Sequence, residues 1–294
     1  RYNLGNLLKE LGKLQDAELS YRKAIELKPD YADAHYNLGN ILRDLGKLKE
    51  AEISTRKAIE LNPNYANSHL NLGNILRDLG KSQEAEISYR KAIELDPDFA
   101  IAHSNLGIIL SDLGKLKEAE QPFRKTIEIQ PEFENAYSRL GNVLFNLGKV
   151  DEAIFYCIKA VKLKPEDDKL VNDLALKLCC RGKYELALKY LSKNQSTSSQ
   201  TICLGCLLSL DREKDFNQKY KELSANQACN ADIGGILEHA NIIYGKQYES
   251  PFCNEAIKYV FIEKINENLF SENHLNELIS FNKISRKGKR SQGL

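Results

Sequence analysis

The sequence predicts an all-α solenoid of about six stacked helical hairpins, followed by a small α+β C-terminal segment. Three observations predict the solenoid. Leu-Gly recurs at Leu4-Gly5, Leu38-Gly39, Leu72-Gly73, Leu106-Gly107 and Leu140-Gly141, always 34 residues apart. A second glycine keeps that period at Gly12, Gly46, Gly80, Gly114 and Gly148, as does an alanine at Ala17, Ala51, Ala85, Ala119 and Ala153. A proline closes each unit at Pro29, Pro63, Pro97, Pro131 and Pro165. A fixed period of this length marks hairpins that bury their apolar faces only by stacking. Such arrays work by holding other molecules, so recognition is the expected function.

Each element has a physical reason. With Arg1 at the fourth position of its repeat, the glycine at the eighth position lets the first helix of a hairpin approach the second, because no side chain intervenes. Alanine at the twentieth and twenty-seventh positions does the same from the second helix. Leu4, Leu8, Leu42 and Leu76 recur at the spacing that builds an apolar stripe. Leu11-Gly12-Lys13 and its copies form the turn, glycine taking the left-handed helix cap without steric cost. Proline ends each second helix, since it lacks an N–H and disfavours helix in the residue before it. Asp30, Asn64, Asp98 and Glu132 start the turn into the next repeat.

The spacing sets copies at 1–31, 32–65, 66–99, 100–133 and 134–167, with a weaker sixth at 168–194. The sixth keeps Leu174-Ala175, Gly182 and Ala187 in phase and has Leu191 in the aromatic's place. The Ser/Thr-rich stretch 195–201 reads as a linker. Leu204-Gly205 opens a possible degenerate hairpin over 202–225. From 226 to 294 the register is lost, and the start of a second, truncated α+β domain is expected. There, 232–244 reads as a helix, Ile257–Ile265 as a strand, and Ser271 as the cap of a helix reaching Phe281. The chain has no Met and starts inside a repeat, so it is expected to be a fragment, open at the N-terminus and at the C-terminus.

Composition excludes several classes. Lys+Arg 42 against Asp+Glu 41 leaves a net charge of +1, so no field favours nucleic acid or an anionic membrane. The apolar fraction is 42%, with no run of about 18 apolar residues to span a bilayer. Seven cysteines, all at or beyond Cys157, read as reduced thiols in a cytoplasmic protein. No nucleophile–base constellation, glycine-rich phosphate loop or carboxylate pair stands out, so neither enzyme activity nor a cofactor is expected. The basic run 286–290 (RKGKR) reads as a solvated cluster.

The repeats resemble the tetratricopeptide repeat (TPR) family, whose pattern is W-x2-L-G-x2-Y, then A-x3-F, then A and P. The second copy reads His35-x-x-Leu38-Gly39-x-x-Leu42, Ala51-x-x-x-Thr55-x-x-Ala58, Pro63; the third has Tyr89 and Ala92, the fourth Phe123 and Thr126. His or Tyr replaces the family's Trp, and Cys157 stands where an aromatic is usual. The resemblance implies a right-handed superhelix whose first helices line a concave groove. Chaperone-binding TPR domains carry Lys at the fifth position, where this chain has Tyr2, Tyr36, Leu70, Ser104 and Ser138, so it is not similar to that subclass.

The array with its tail (LLSLDREKDF, HANIIYGK, SPFCNEAIKYVFIEKI, SRKGKRSQGL) also resembles cyanobacterial TPR proteins that carry a C-terminal 2-oxoglutarate/Fe(II) oxygenase domain. Such a domain needs His-x-Asp/Glu. His35, His69, His103, His239 and His274 are each followed two residues on by Asn, so the resemblance implies that the catalytic domain is missing here. The alternative function it implies is the substrate-recruiting N-terminal part of such an oxygenase, or of an O-linked N-acetylglucosamine transferase-like enzyme. A purely structural spacer is a third reading.

Asparagine supplies the candidate binding site. It holds the sixth position as Asn3, Asn37, Asn71 and Asn105, and the ninth as Asn6, Asn40, Asn74 and Asn142. Asn is a mediocre helix former, so its repetition within helices calls for a reason. The pattern resembles the asparagine ladder of O-linked N-acetylglucosamine transferases, which holds peptide backbones. An amide offers donor and acceptor together, matching a peptide group. The other reading is that Asn links neighbouring repeats. Beside the ladder, Lys9, Arg43 and Arg77 are followed by Glu10, Asp44 and Asp78, as partner contacts or as pairs that balance one another. His35, His69 and His103 repeat at helix-packing distances of about 8–10 Å, too far apart to share a metal, and read as packing residues. Cys203-x-x-Cys206 is half a zinc motif or a redox pair on paper and reads as small core residues; Cys179 and Cys180 point apart on a helix. The expected partner is a protein or an extended peptide, with no nucleic acid, membrane, metal or cofactor.

Overall fold

The structure is a computed structural model that describes residues 1–194 and 196–225, and beyond them Ile236, Leu237, Ala240, Ile243 and Tyr244. The strand expected at Ile257–Ile265, the helix at 271–281, the basic run 286–290, His239 and His274 lie outside the described residues. The chain forms two compact units, dividing between Leu170 and Val171.

The first unit is five hairpins. They pair α1 (Tyr2–Glu10) with α2 (Leu14–Leu27), α3 (Ala32–Asp44) with α4 (Leu48–Leu61), and α5 (Ala66–Asp78) with α6 (Ser82–Leu95). The series continues with α7 (Ala100–Asp112) and α8 (Leu116–Ile129), then α9 (Glu134–Asn146) and α10 (Val150–Leu163). The second helices α2, α4, α6 and α8 also pack on the next first helix, and the first helices α3 and α5, like α7 and α9, touch directly.

The helix-facing glycines are there for want of space. A Cβ on Gly73 would lie 2.5 Å from the Tyr89 ring, and one on Gly107 would lie 2.7 Å from Phe123. Both rings are fully buried, so neither can yield. The turn glycines sit at φ between 71° and 78° in the first unit, the left-handed region that side chains resist. Before each proline the chain is extended, as at Asn62 (φ −141°, ψ 84°), which ends α4. The loop that follows is held by the fourth-position histidine. Nε2 of His35, His69 and His103 lies 2.8–2.9 Å from the carbonyl of Pro29, Pro63 and Pro97, and a carbonyl only accepts, so the ring donates.

A second device ties the hairpins together. Glu18 on α2 receives Arg22 from one turn along and Lys47 from the next hairpin's turn, while Arg22 reaches on to Glu50. The same four-membered clamp recurs as Glu52, Arg56, Lys81 and Glu84, then as Glu86, Arg90, Lys115 and Glu118, then as Glu120, Arg124, Lys149 and Glu152. Burial raises the pKa of Glu18, but the hydrogen bonds from Lys47 and Arg22 outweigh it, leaving the carboxyl below its ordinary value.

The second unit holds most of α11 (Asp168–Cys180), then α12 (Tyr184–Leu191), α13 (Thr197–Ser209) and α14 (Glu213–Ala225). The described residues thus form seven hairpins, the six expected copies and a further one near 202–225. The stretch 195–201, expected as a linker, instead starts α13 at Thr197, with the Ser196 side chain accepting from the Ser199 N–H. Ser and Thr are good helix starters as well as loop residues, and α12 stops after only eight residues. The hairpin expected over 202–225 is present as α13 and α14, but Leu204-Gly205 does not mark its close-approach position. The left-handed turn residue of this hairpin is Asp211 (φ 55°), and seven residues before it, the spacing from Gly5 to Gly12, stands fully buried Leu204. Gly205 faces open space. Ile236, Leu237 and Ala240 are helical, within the helix expected over 232–244, and pack with Phe216 and Leu223.

Candidate functional site

The ninth-position asparagines are paired with the aromatic of their own hairpin. The Tyr21 hydroxyl donates to Asn6 Oδ1 at 2.8 Å, and Tyr89 to Asn74 Oδ1 at 2.9 Å. Both rings are fully buried. Burial pushes both phenols up to about 12, which keeps them neutral donors. Where the aromatic is Phe123, the ninth position is Ile108. Where it is Thr55, the side chain is too short and Asn40 is left half-buried without a side-chain hydrogen bond. Asn142 occupies the equivalent place on α9, also half-buried.

Most sixth-position asparagines link one hairpin to the previous one. Asn37 Nδ2 donates to the Tyr2 hydroxyl at 2.9 Å, and Asn105 Nδ2 to Asn74 Oδ1 at 2.9 Å. Asn71 is only 4% exposed and turns its amide to Thr55 Oγ1 at 3.3 Å. That burial takes Asn71 off the surface on which sequence reasoning placed it. Asn3 is exposed and makes no side-chain hydrogen bond. An amide has two donor hydrogens and an acceptor oxygen. Asn37 and Asn105 each use one N–H on their neighbour, which fixes their orientation and leaves the oxygen and the second hydrogen.

Arg43 does not pair with the adjacent Asp44. Its Nε donates to Asp78 Oδ2 at 2.6 Å on the next first helix, and Arg77 lies 3.6 Å from that same carboxylate. Arg43, at the twelfth position, thus meets the thirteenth-position carboxylate of the next repeat, and Arg77 meets that of its own neighbour. Tyrosines flank this side of the first two hairpins, with Tyr2 and Tyr31 ring centres 4.8 Å apart and Tyr36 and Tyr65 5.3 Å apart. Asn37, Asn40 and Arg43 follow one another at three-residue spacing on α3, with Asn74 and Arg77 beside them on α5. A groove of about 660 Å³ between α6, α7 and α8 is lined by Ile93, Pro97, Leu106 and Pro122 and includes none of these residues. Among the described residues no group of three or more His, Cys, Asp or Glu is placed to hold a metal. No helix among them is long and apolar enough to cross a membrane.

Sequence reasoning missed the Tyr–Asn pairing, although the signal was present: the ninth residue is Asn where the aromatic is Tyr and Ile where it is Phe. The clamps were equally visible as Glu, Arg, Lys and Glu at the 34-residue period.

Hairpins with this glycine, tyrosine and proline arrangement define the class of helical-repeat interaction proteins. The TPR repeat family matches residues 5–46 and 73–114, and tetratricopeptide repeat families match 32–65, 55–87, 102–130 and 134–167. Together they cover more than half of the chain, which belongs to the tetratricopeptide repeat family. No curated protein sequence matches it. The crystal structure of MamA is 27% identical with a TM-score of 0.53, over 56% of this chain and 96% of that one. The pilF protein of Pseudomonas aeruginosa is 21% identical with a TM-score of 0.57, over 71% and 97% of the two chains. YrrB, described as a TPR protein with an unusual peptide-binding site, is 23% identical with a TM-score of 0.54, over 66% and 97%.

Proposed function

We propose that this protein-interaction scaffold receives an extended peptide across its first helices. The observation that carries the reading is the row of partly available amides at Asn3, Asn37, Asn40 and Asn105, of which Asn37 and Asn105 are oriented by a bond to the preceding hairpin, with Asn6, Asn74 and Asn142 alongside. Arg43 and Arg77 at the same edge share a single carboxylate, Asp78, which leaves guanidinium donors for a partner's carbonyl or acidic side chain. Amides read peptide groups and not side chains, so sequence demands on the ligand are loose. Likeness to YrrB supports the fold alone.

The test is an array of unstructured peptides probed with the whole chain and with an Asn37→Ala, Asn40→Ala, Asn105→Ala variant. Each neutral hydrogen bond contributes about 0.5–1.5 kcal/mol, so the variant should bind about 1.5–4.5 kcal/mol more weakly. Unchanged affinity in a folded variant would move the binding surface elsewhere.

A further inference from the structure

Within the second unit, Cys179 on α11 and Cys206 on α13 hold their sulfurs 3.3 Å apart. The two helices meet again where the Ser199 hydroxyl donates to Asn172 Oδ1 at 2.6 Å. Consecutive first helices also touch in the first unit, where α3 meets α5 and α7 meets α9. Both cysteines are free thiols. We propose that Cys179 and Cys206 form a peroxide-responsive thiol pair whose disulfide fastens the first helix of the seventh hairpin to that of the sixth.

The two sulfurs have different access, and that assigns their roles. Cys206 is only 1% exposed, so an oxidant does not reach it first. Cys179 is half-buried and does meet solvent. Cys206 can donate its S–H to the Cys179 sulfur; this lowers the Cys179 thiol below its ordinary value, with burial working the other way. The nucleophile is the thiolate. Its attack on hydrogen peroxide breaks the O–O bond, giving a sulfenic acid on Cys179 and hydroxide. The Cys206 sulfur then attacks the Cys179 sulfur, the S–O bond breaks, and the leaving hydroxide takes the Cys206 proton as water. The balance is two thiols and one peroxide to one disulfide and two waters. A disulfide bond is about 2.05 Å long, so the sulfurs close by about 1.3 Å, within reach of side-chain rotation.

Among the described residues the competing thiols are less well placed. Cys180 is exposed but belongs to the same helix as Cys179, one residue on. Burial pushes the Cys203 thiol up, which holds back its thiolate. Cys157 lies buried in the first unit.

The experiment treats the whole chain with one equivalent of hydrogen peroxide, alkylates the remaining thiols and maps the peptides by mass. The expected product is lighter by two hydrogens, carries a Cys179–Cys206 link, and reverts with dithiothreitol. In Cys206→Ala, Cys179 should instead stop at the sulfenic acid and be trapped by dimedone. Free Cys179 and Cys206 after peroxide, or a link that joins other cysteines first, overturns the proposal. The map of the unaltered chain decides this by itself if the variant does not fold.

Discussion

In the first unit every second helix has 14 residues, every eighth-position glycine lies under a side chain of that helix, and each of four junctions is closed by the same ionic clamp. In the second unit α12 has eight residues, Leu204 stands in the glycine's place, and Asp211 takes the left-handed turn. The clamp ends where the units divide: Ile154 and Ile158 occupy the places of Glu18 and Arg22. Arg212, at the turn position of Lys47, pairs instead with Glu185 and Asp215. The difference shows two ways to stack hairpins. One repeats a single junction, so stability sums over equal steps. The other joins each pair by contacts found once, such as Ser199 with Asn172 and Cys179 with Cys206.

Adding one methyl group should separate the two regions most sharply. Gly73→Ala drives a Cβ against the buried Tyr89 ring, and overpacking of this kind costs about 1–3 kcal/mol. Gly205→Ala meets nothing within 4 Å in the middle of α13 and should gain about 0.5–1 kcal/mol from helix propensity. Denaturant unfolding of each variant reads both signs. A neutral Gly73→Ala would mean that the Tyr89 ring can move aside, and that close approach is not what selects the glycine.

The regular unit was almost wholly legible in the sequence, because its period repeats the same steric demands. Glycine under an aromatic ring, glycine in the left-handed turn and proline after the second helix each leave one residue type at one spacing. The second unit was read less well for a matching reason. Once α12 shortened, the 34-residue count no longer located the turn, and Leu204-Gly205 imitated a motif that the fold does not use there. Of the site, the rows of Asn, Arg43 and Arg77 were visible as residues but not as partners. Asn71 looks the same as Asn37 in sequence. What buries it and turns it to a different acceptor is the substitution of Thr55 for a tyrosine on the preceding helix.

The clamps give the next largest contrast, and they bear on pH. The carboxyls of Glu18, Glu52, Glu86 and Glu120 lie below their ordinary values through hydrogen bonds from Lys and Arg, against a burial effect that works upward. Their folded pKa is therefore below the unfolded value of about 4.3. The stability they add is fully present above about pH 4.3 and disappears as pH falls through the folded pKa. The Lys and Arg partners are between 31% and 49% exposed, so screening limits each junction to about 1 kcal/mol. Lowering the pH from about 5 to 3 should thus reduce the melting temperature of the whole chain more than that of a Glu52→Gln, Glu86→Gln variant. Equal acid sensitivity in the two would leave the clamps without a role in stability.

The smallest expected effect exchanges the turn residues. Asp211 is the one non-glycine residue with positive φ among those described, and it takes the place that glycine holds at the other six turns. A left-handed conformation costs a non-glycine residue about 1–2 kcal/mol, less for Asp, whose short side chain tolerates it. Glycine also loses more freedom on folding, which offsets part of any gain. Asp211→Gly should therefore stabilise the second unit by about 0.5 kcal/mol, while Gly80→Asp should destabilise the first by about 1 kcal/mol. Hydrogen exchange across α13 and α14, and across α5 and α6, measures each change in its own unit. Faster exchange in α13 and α14 after Asp211→Gly would show that the Asp side chain holds this turn. The irregular unit would then have replaced the glycine by a contact of its own, as it did with the cysteines.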